Sequence, residues 1–128
     1  MKYAVFMTSL LLHTAAQAAM PATQCRFEQG ACVNQGAELV LGKLPLRSQA
    51  PISVRLSLPG AKKDKLMALV EGVDMYMGQV PVLLTRTKAG HFQGQFQVAS
   101  CMHGDMTWQL KVQAAEKEFR FNFVVDSN

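Results

Sequence analysis

The sequence lacks the residue patterns of the common enzyme classes. It contains no Gly-x-Ser-x-Gly turn, no His-Glu-x-x-His pair, no phosphate-binding glycine loop and no Cys-x-x-Cys pair for thiol–disulfide exchange. Cys101 and His103 are close together, but a nucleophile and its base usually come from distant parts of a chain. We therefore expect a protein that is not an enzyme.

Clustered basic residues and histidines are also scarce. Lysine and arginine number 13 against 9 aspartates and glutamates, which gives a formal charge of +4. Apart from residues 62–65 the basic residues are dispersed, whereas a nucleic-acid-binding face needs clustered basic residues with interleaved aromatics. We expect no nucleic-acid partner. A blue-copper electron-transfer centre needs two histidines, a cysteine and an axial ligand, and the spacing around Cys101 and His103 does not match it.

Long apolar runs are limited to the N-terminus, which has the pattern of an export signal. Lys2 supplies a positive start, residues 3–12 form a short apolar stretch, and Ala16-Gln-Ala18 matches the small-x-small pattern before a cleavage point. The apolar stretch is too short to cross a bilayer, which needs about 20 residues. We expect residues 1–18 to be removed on export to the bacterial periplasm, with an uncleaved anchor as the alternative.

The rest of the chain is enough for one hydrophobic core. We predict an irregular segment at residues 19–36 and a single β-domain at residues 37–128. The three cysteines would meet an oxidising compartment, where disulfides persist. A turn between Cys25 and Cys32 makes a local bridge geometrically easy and would leave Cys101 as a free thiol. Pairing of Cys101 with either of the other two is the open alternative.

Seven short runs of mostly alternating apolar and polar residues indicate β-strands. They cover residues 38–41, 52–58, 66–70, 80–86, 91–98, 106–112 and 119–125. The third run is apolar throughout, so a short helix is its alternative. Many short strands without a long amphipathic helix predict an antiparallel, immunoglobulin-like or cupredoxin-like β-sandwich with Trp108 in its core. Gly94, in the middle of a run, predicts a bulge or the close approach of another backbone.

Potential ligands for a soft metal cluster in two stretches, residues 71–78 and 100–108, each flanked by predicted strands. Four of the six methionines that follow residue 18 lie there, together with a cysteine, a histidine and the single tryptophan. Thioether, thiol and imidazole groups are the ligands that Cu(I) prefers. The predicted metal ligands are Met75, Met77, Cys101, His103 and Met106.

The geometry expected for these ligands has alternatives. On an extended backbone Met75 and Met77, two residues apart, would point the same way and could meet one ion. Alternatively, both fill the core, as methionines often do. Met106 begins the strand of Trp108, so its alternative is a place in the core stripe of that strand, and the alternative for His103 is an ordinary surface residue.

The chain resembles a group of small exported bacterial proteins with a Cys-x6-Cys segment, a Gly-Val-Asp-Met-x-Met-Gly loop and a Cys-x4-Met-x-Trp strand start. Here these motifs begin at Cys25, Gly72 and Cys101. More distantly, the chain is similar to the FixH/YtkA-like β-sandwich domains, which carry a comparable methionine-rich loop and are linked to copper supply for respiratory oxidases. The resemblance covers residues 25–125, and His103 has no counterpart in it. The metal ligands that it implies are Met75, Met77, Cys101 and Met106.

Two functions from different classes follow as hypotheses. The first is a periplasmic protein that binds or delivers Cu(I), in support of a respiratory oxidase or copper homeostasis, with a copper-receiving or membrane-complex protein as partner. The second is a non-metal module, such as a chaperone or an accessory subunit of a membrane complex. In that case Met75-Tyr76-Met77 is an apolar contact patch, since methionine-rich surfaces suit adaptable binding. Both hypotheses assign the function to the same loop.

Overall fold

Alternating apolar and polar residues produce strands with one buried face along most of the chain. The computed structural model describes residues 22–100, 102, 104–114 and 116–127. The predicted export signal, Cys101 and His103 lie outside these residues. A 3-10 turn spans Phe27–Gln29. The strands are β1 (Thr23–Gln24), β2 (Cys32–Asn34), β3 (Ala37–Gly42), β4 (Ile52–Ser57), β5 (Lys65–Gly72), β6 (Gln79–Lys88), β7 (His91–Phe96), β8 (Met106–Ala114) and β9 (Lys117–Val125).

All nine strands belong to one sheet, in the order β1-β9-β8-β5-β6-β7-β4-β3-β2. Every neighbouring pair is antiparallel except β1 and β9, which run parallel. The prediction of an all-β protein is confirmed, and each of the seven predicted runs corresponds to one of the strands β3 to β9. Residues 66–70 lie in β5, so the alternative of a short helix there is wrong.

The two edges of the sheet meet, so the sheet is nearly closed into a barrel. Cys25, just after β1, forms a disulfide with Cys32 at the start of β2, with Cα atoms 5.3 Å apart. The side-chain amide of Asn34 also donates a hydrogen bond of 2.9 Å to the carbonyl oxygen of Arg120 on β9. A covalent bond and a hydrogen bond therefore join the edges, and the local cysteine pairing is confirmed.

The prediction of a two-sheet sandwich needs correction. β6 pairs with β5 on one side and with β7 on the other, and β7 continues the pairing to β4. The strands therefore form one continuous sheet that curves around its core, not two clearly separate layers. Alternation along a strand specifies one buried face, and that face looks the same in the sequence whether the sheet closes on itself or packs on a second sheet.

The core fills the inside of the curved sheet. Trp108, Leu110 and Val112 on β8 are almost wholly buried, which confirms the core position predicted for the tryptophan. Phe96 on β7 and Phe123 on β9 meet across the interior with ring centroids 6.0 Å apart and planes tilted by 60°. Each large apolar side chain buried in this way contributes roughly 1.5–3 kcal/mol to folding, so these aromatic residues tie distant strands together.

Gly94 on β7 confirms the predicted close approach of another backbone. A Cβ atom at this position would lie 2.5 Å from the carbonyl oxygen of Leu83 on the neighbouring strand β6. The register between β6 and β7 shifts a few residues away, between Arg86 and Lys88. The absence of a side chain at Gly94 therefore lets the two strands lie closer than a β-carbon would permit.

The segment predicted as irregular is more regular than expected. Within residues 22–36, β1 pairs with β9 and β2 pairs with β3, so the segment supplies both edges of the sheet. These strands are too short to show an alternating pattern in the sequence, and β1 depends on a partner at the far end of the chain. In the part of the chain that the structure describes, no helix is long and apolar enough to span a membrane.

Candidate metal-binding loops

The sheet has two ends that differ in how the strands are connected. At the first, which we call the turn end, the connections are residues 35–36, 58–64, 89–90 and 115–116. At the second, the loop end, longer segments connect the strands at residues 43–51 and 97–105, and residues 73–78 connect β5 to β6. Most of the predicted metal ligands belong to the 73–78 and 97–105 loops, so the candidate site lies at the loop end.

The 73–78 loop lies against the beginning of β8. Gly72, the last residue of β5, is paired with Trp108 on β8. Beyond it, the amide of Val73 donates a hydrogen bond of 2.9 Å to the carbonyl oxygen of Thr107. The amide of Thr107 in turn donates to the Asp74 carboxylate over 2.9 Å. Because β8 follows directly after the 97–105 loop, these contacts place the 73–78 loop next to the point where that loop ends.

The 97–105 loop is anchored at its other side by the 43–51 loop. The hydroxyls of Ser48 and Ser100 share a hydrogen bond of 3.0 Å. The amide of Gln49 donates to the carbonyl oxygen of Val98 over 2.9 Å, and the amide of Ser48 donates to that of Asp126 over 2.9 Å. The loop end is therefore held by a set of hydrogen bonds between loops, in addition to the strand pairing beneath it.

Gly72 and Met106 form the floor of the 73–78 loop. A methyl group on Gly72 would overlap both the carbonyl oxygen of Met75 and the terminal methyl carbon of Met106. The loop therefore folds back closely over the end of β5. Met106 is only 4% exposed and belongs to the hydrophobic core. This placement corresponds to the core-stripe alternative for Met106, and its role as a ligand stays a prediction.

Met75 and Met77 differ in their surroundings. Met75 is 43% exposed, whereas Met77 is partly buried against the hydrophobic core. Residues 73–75 form a bend instead of an extended strand. The expectation that the side chains of Met75 and Met77 point the same way assumed an extended backbone, which this loop does not have. The loop presents one methionine to solvent and keeps the other half-buried at its base.

A charged network lies beside the loop, on the outer face of the sheet. The Glu71 carboxylate forms an ion pair with Lys111 and accepts a hydrogen bond of 3.4 Å from the side chain of Gln79. The hydrogen bond from Lys111 is the largest cause that lowers the pKa of Glu71 below its ordinary value, and the bond from Gln79 and the charge of Arg120 act in the same direction. The contacts of Glu71 therefore link the end of β5 to the start of β6 and to β8.

Met102 was not among the predicted ligands, although it lies between Cys101 and His103 in the sequence. Its side chain is 100% exposed, so the 97–105 loop carries an accessible thioether in addition to those of the 73–78 loop. The signal in the sequence was its position in a polar loop, where a methionine has no core to fill. Cys101 and His103 themselves, both predicted ligands, lie outside the described residues.

The donor set at this end of the molecule suits a soft ion better than a hard one. Among the described residues there is no group of three or more histidine, cysteine, aspartate and glutamate side chains that could hold a metal ion. One carboxylate oxygen of Asp74 already accepts a hydrogen bond from the Thr107 amide. Besides the exposed carboxylate of Asp105, the two loops carry the thioethers of Met75, Met77 and Met102, and donors of this soft type fit Cu(I).

Comparisons of the chain with protein-family models, with curated proteins and with solved structures found no match. The assignment of the site therefore depends on the residues and their arrangement alone.

Proposed function

We propose that this protein binds Cu(I) at the loop end of its sheet, through the thioethers of Met75 and Met77 together with donors of the 97–105 loop. The observation that carries the proposal is the Asp74 contact with the Thr107 amide, which holds the 73–78 loop against the first residues of β8, directly after the 97–105 loop. Loop residues held by a rigid scaffold are a common way to build a binding site. Thioethers favour Cu(I) among the metals available to proteins.

Each donor has a different part in the proposed site. Met75 is exposed and can turn toward an ion, while half-buried Met77 gives the site a fixed base. Cys101 supplies a thiolate and His103 an imidazole nitrogen to complete the coordination. Met106 is a ligand only if its buried side chain can reach the ion, and in its present position it supports the loop.

The proposed biological role is copper supply without catalysis. A soft, loop-borne site stabilises Cu(I) and favours transfer to a partner over redox cycling, since the spacing of histidine, cysteine and methionine in a blue-copper loop is not reproduced around Cys101 and His103. With export to the periplasm, as the N-terminal pattern predicts, the acceptor would be a copper-receiving or membrane-complex protein. Support of a respiratory oxidase or of copper homeostasis is the role that the family resemblance implies.

A Cu(I) titration of the reduced protein against a colorimetric chelator tests the proposal. We expect one ion per chain at sub-micromolar affinity, and the double variant Met75→Leu/Met77→Leu should bind more than about 100-fold more weakly, since even changes around a metal site cost roughly 10- to 100-fold. Met67→Leu is the matched control, because Met67 is an exposed methionine on β5 outside the loop end. Full affinity in the double variant would refute the assignment.

Single variants then test which of the remaining donors bind the Cu(I) ion. Cys101→Ser and His103→Gln should each weaken Cu(I) binding if the residue is a ligand and leave it unchanged otherwise. Met106→Leu conserves the apolar volume of a buried position, which usually costs less than about 1.5 kcal/mol of stability. Retained affinity in that variant would make Met106 a structural support, and lost affinity in a folded variant would restore it as a ligand.

A specific observation also favours the second candidate function, a contact surface for another protein. Tyr76 is 78% exposed, and Val73 and Met75 beside it are exposed as well. Such a contiguous apolar patch is typical of interaction sites. Tyr76→Ser should leave the Cu(I) titration unchanged, because a phenol is a poor ligand for Cu(I). If the loop is a contact surface, a bound partner should protect it from proteolysis less well in this variant than in the unmodified protein.

A further inference from the structure

The turn end of the sheet contains a cavity that the proposed copper site does not use. Its volume is about 220 Å³. It lies where the β2–β3 turn, the 58–64 connection and the ends of β8 and β9 come together. The residues that line it include Ala37, Leu58, Gly60, Ala61, Ala114 and Phe119. Since β5 and β8 run from one end of the sheet to the other, their full length separates this cavity from the methionines of the 73–78 loop.

The walls of the cavity are apolar and come partly from the core. Ala37, Leu58 and Phe119 are buried, and Ala61 and Ala114 pack against the core from the rim. The small side chains among them leave the space open. An apolar cavity of about 150 Å³ accepts benzene, so a cavity of about 220 Å³ is large enough for a short alkyl chain. The cavity favours an apolar group and offers it few hydrogen-bond partners.

The rim of the cavity is positively charged. Lys117 lines the opening, and Lys62 and Lys63 are exposed on the 58–64 connection that forms one wall. Of the nearby carboxylates, Asp64 pairs with Arg86 and Glu118 pairs with Arg120, so exposed Glu116 beside Lys117 is the carboxylate set against these lysines. Among the ion pairs between described residues, none involves these three lysines. The charge around the opening therefore attracts an anion.

We infer that this cavity binds an amphipathic anion, an alkyl carboxylate with a chain of about six to eight carbons. The alkyl chain enters the cavity between Leu58 and Phe119, and the carboxylate stays at the opening near Lys117. Apolar burial supplies most of the affinity, about 0.8 kcal/mol for each methylene group removed from water. The exposed ion pair adds less, since solvent-exposed pairs contribute about 0.2–1 kcal/mol, and it selects an acid over an alcohol.

Octanoate is the probe for the first experiment, which uses the purified protein labelled with ¹³C in its alanine methyl groups. We expect saturable shifts of Ala37, Ala61 and Ala114 at sub-millimolar octanoate, with no shift of Ala50 at the loop end. Ala114→Leu fills the cavity and should weaken binding by about tenfold or more, since several methylene contacts are lost. Ala61→Leu, at a more exposed position, gives the same test if the first variant does not fold.

The charge of the rim is tested separately. Lys117→Gln should weaken octanoate binding about threefold and leave octanol binding unchanged, as expected for one exposed ion pair. The matched control is Lys43→Gln, which removes the same charge from an exposed position at the loop end and should change neither ligand.

Three outcomes would overturn the inference. The first is the absence of saturable shifts at the cavity alanines, and the second is equal affinity of the unmodified protein for octanoate and octanol. The third is binding of anionic phospholipid vesicles without any binding of free octanoate, which would assign the lysines to a membrane surface. None of these outcomes bears on the Cu(I) titration, because the two sites lie at opposite ends of the sheet.

Discussion

The two ends of the sheet follow from the same strands but differ in connection and in chemistry. At the turn end, two-residue turns and the longer 58–64 connection surround an apolar cavity and carry lysines near its rim. At the loop end, the 73–78 and 97–105 loops carry methionines, and Cys101 and His103 belong to the second of these loops by sequence. Between the two ends, β8 and β9 have one face buried along most of their length. A rigid sheet can therefore hold two unrelated surfaces apart, and changes at one end need not disturb the other.

Backbone geometry explains why the turn end offers so few ligands. The β2–β3 hairpin turns at Gln35 and Gly36 with φ of 52° and 85°. Positive φ at both central residues is the pattern of a type I′ turn, which matches the twist of the flanking strands. Such a turn has only two residues outside the ladder. The two-residue turns at this end therefore leave few side chains for a ligand set, whereas the 73–78 and 97–105 loops have more residues outside the ladder.

Among the substitutions that distinguish the two ends, Gly72→Ala is expected to lower the stability of the protein most. The new methyl group would overlap the carbonyl oxygen of Met75 and the methyl carbon of Met106, so the 73–78 loop must move. Forced overpacking of this kind costs about 3 kcal/mol in unfolding free energy. Urea denaturation measures the loss, and amide chemical shifts should change at residues 73–78 and stay constant at the 89–90 turn.

Gly42→Ala is the control for that variant. A Cβ atom on Gly42 would lie 2.9 Å from the hydroxyl oxygen of Ser53, the end of a side chain that can rotate away. We expect a loss below about 1 kcal/mol, since a change of one rotamer is cheap compared with a backbone collision. Equal losses in the two variants would show that the fold of the 73–78 loop does not depend on Gly72.

A smaller effect is expected for Asp74→Ala, which removes the acceptor of the Thr107 amide. A lost hydrogen bond of this kind costs about 1 kcal/mol, and the Thr107 amide should exchange with solvent faster. Because this bond also aligns the two loops, Cu(I) binding should weaken as well. Asp105→Ala, at an exposed position in the neighbouring loop, serves as the comparison. Unchanged exchange at Thr107 in the Asp74 variant would mean that strand pairing alone positions the loop.

The smallest effect is a pH dependence that begins at Glu71. The hydrogen bond from Lys111 lowers the pKa of this carboxyl below its ordinary value of 4.5, so folding favours the charged form. The resulting stabilisation is complete above the ordinary pKa and is lost as the pH falls through the lowered value. We expect the unfolding free energy to decline below about pH 5 and the decline to be shallower in Glu71→Gln.

Glu38→Gln provides the reference for the pH experiment. Glu38 is an exposed carboxylate on β3, and it forms none of the ion pairs between the described residues. Its replacement should leave the acid limb of the stability curve as steep as in the unmodified protein. If both variants flatten the curve equally, general charge repulsion explains the pH dependence and the Glu71–Lys111 pair does not.

Strand positions and the cysteine pairing were predictable because they depend on local pattern. Alternation located the strands β3 to β9, since a buried face repeats every second residue. The bridge between Cys25 and Cys32 agrees with the short distance that separates them along the chain. Gly94 indicated its close contact because a glycine in mid-strand rarely has another reason to be there.

The candidate site was predictable only in outline. The types of the donor residues and their location in two loops at one end of the sheet could be inferred from the sequence. The differing exposure of Met75 and Met77 could not, because a bend at residues 73–75 replaces the extended backbone on which that inference depended. The burial of Met106 likewise depends on the way the loop folds over Gly72.

The sequence alone indicates that the chain forms strands and which face of each strand is buried. It also shows which side chains have the chemistry to bind a soft metal. These properties depend on the alternation of neighbouring residues and on side-chain chemistry. Only the tertiary structure shows that the strands form one nearly closed sheet, whose edge strands β1 and β2 are joined by the disulfide. The contact of Asp74 with Thr107 at the start of β8 and the cavity at the far end are also features of the tertiary structure alone. Those features depend on contacts between residues far apart in the chain, which no local pattern records.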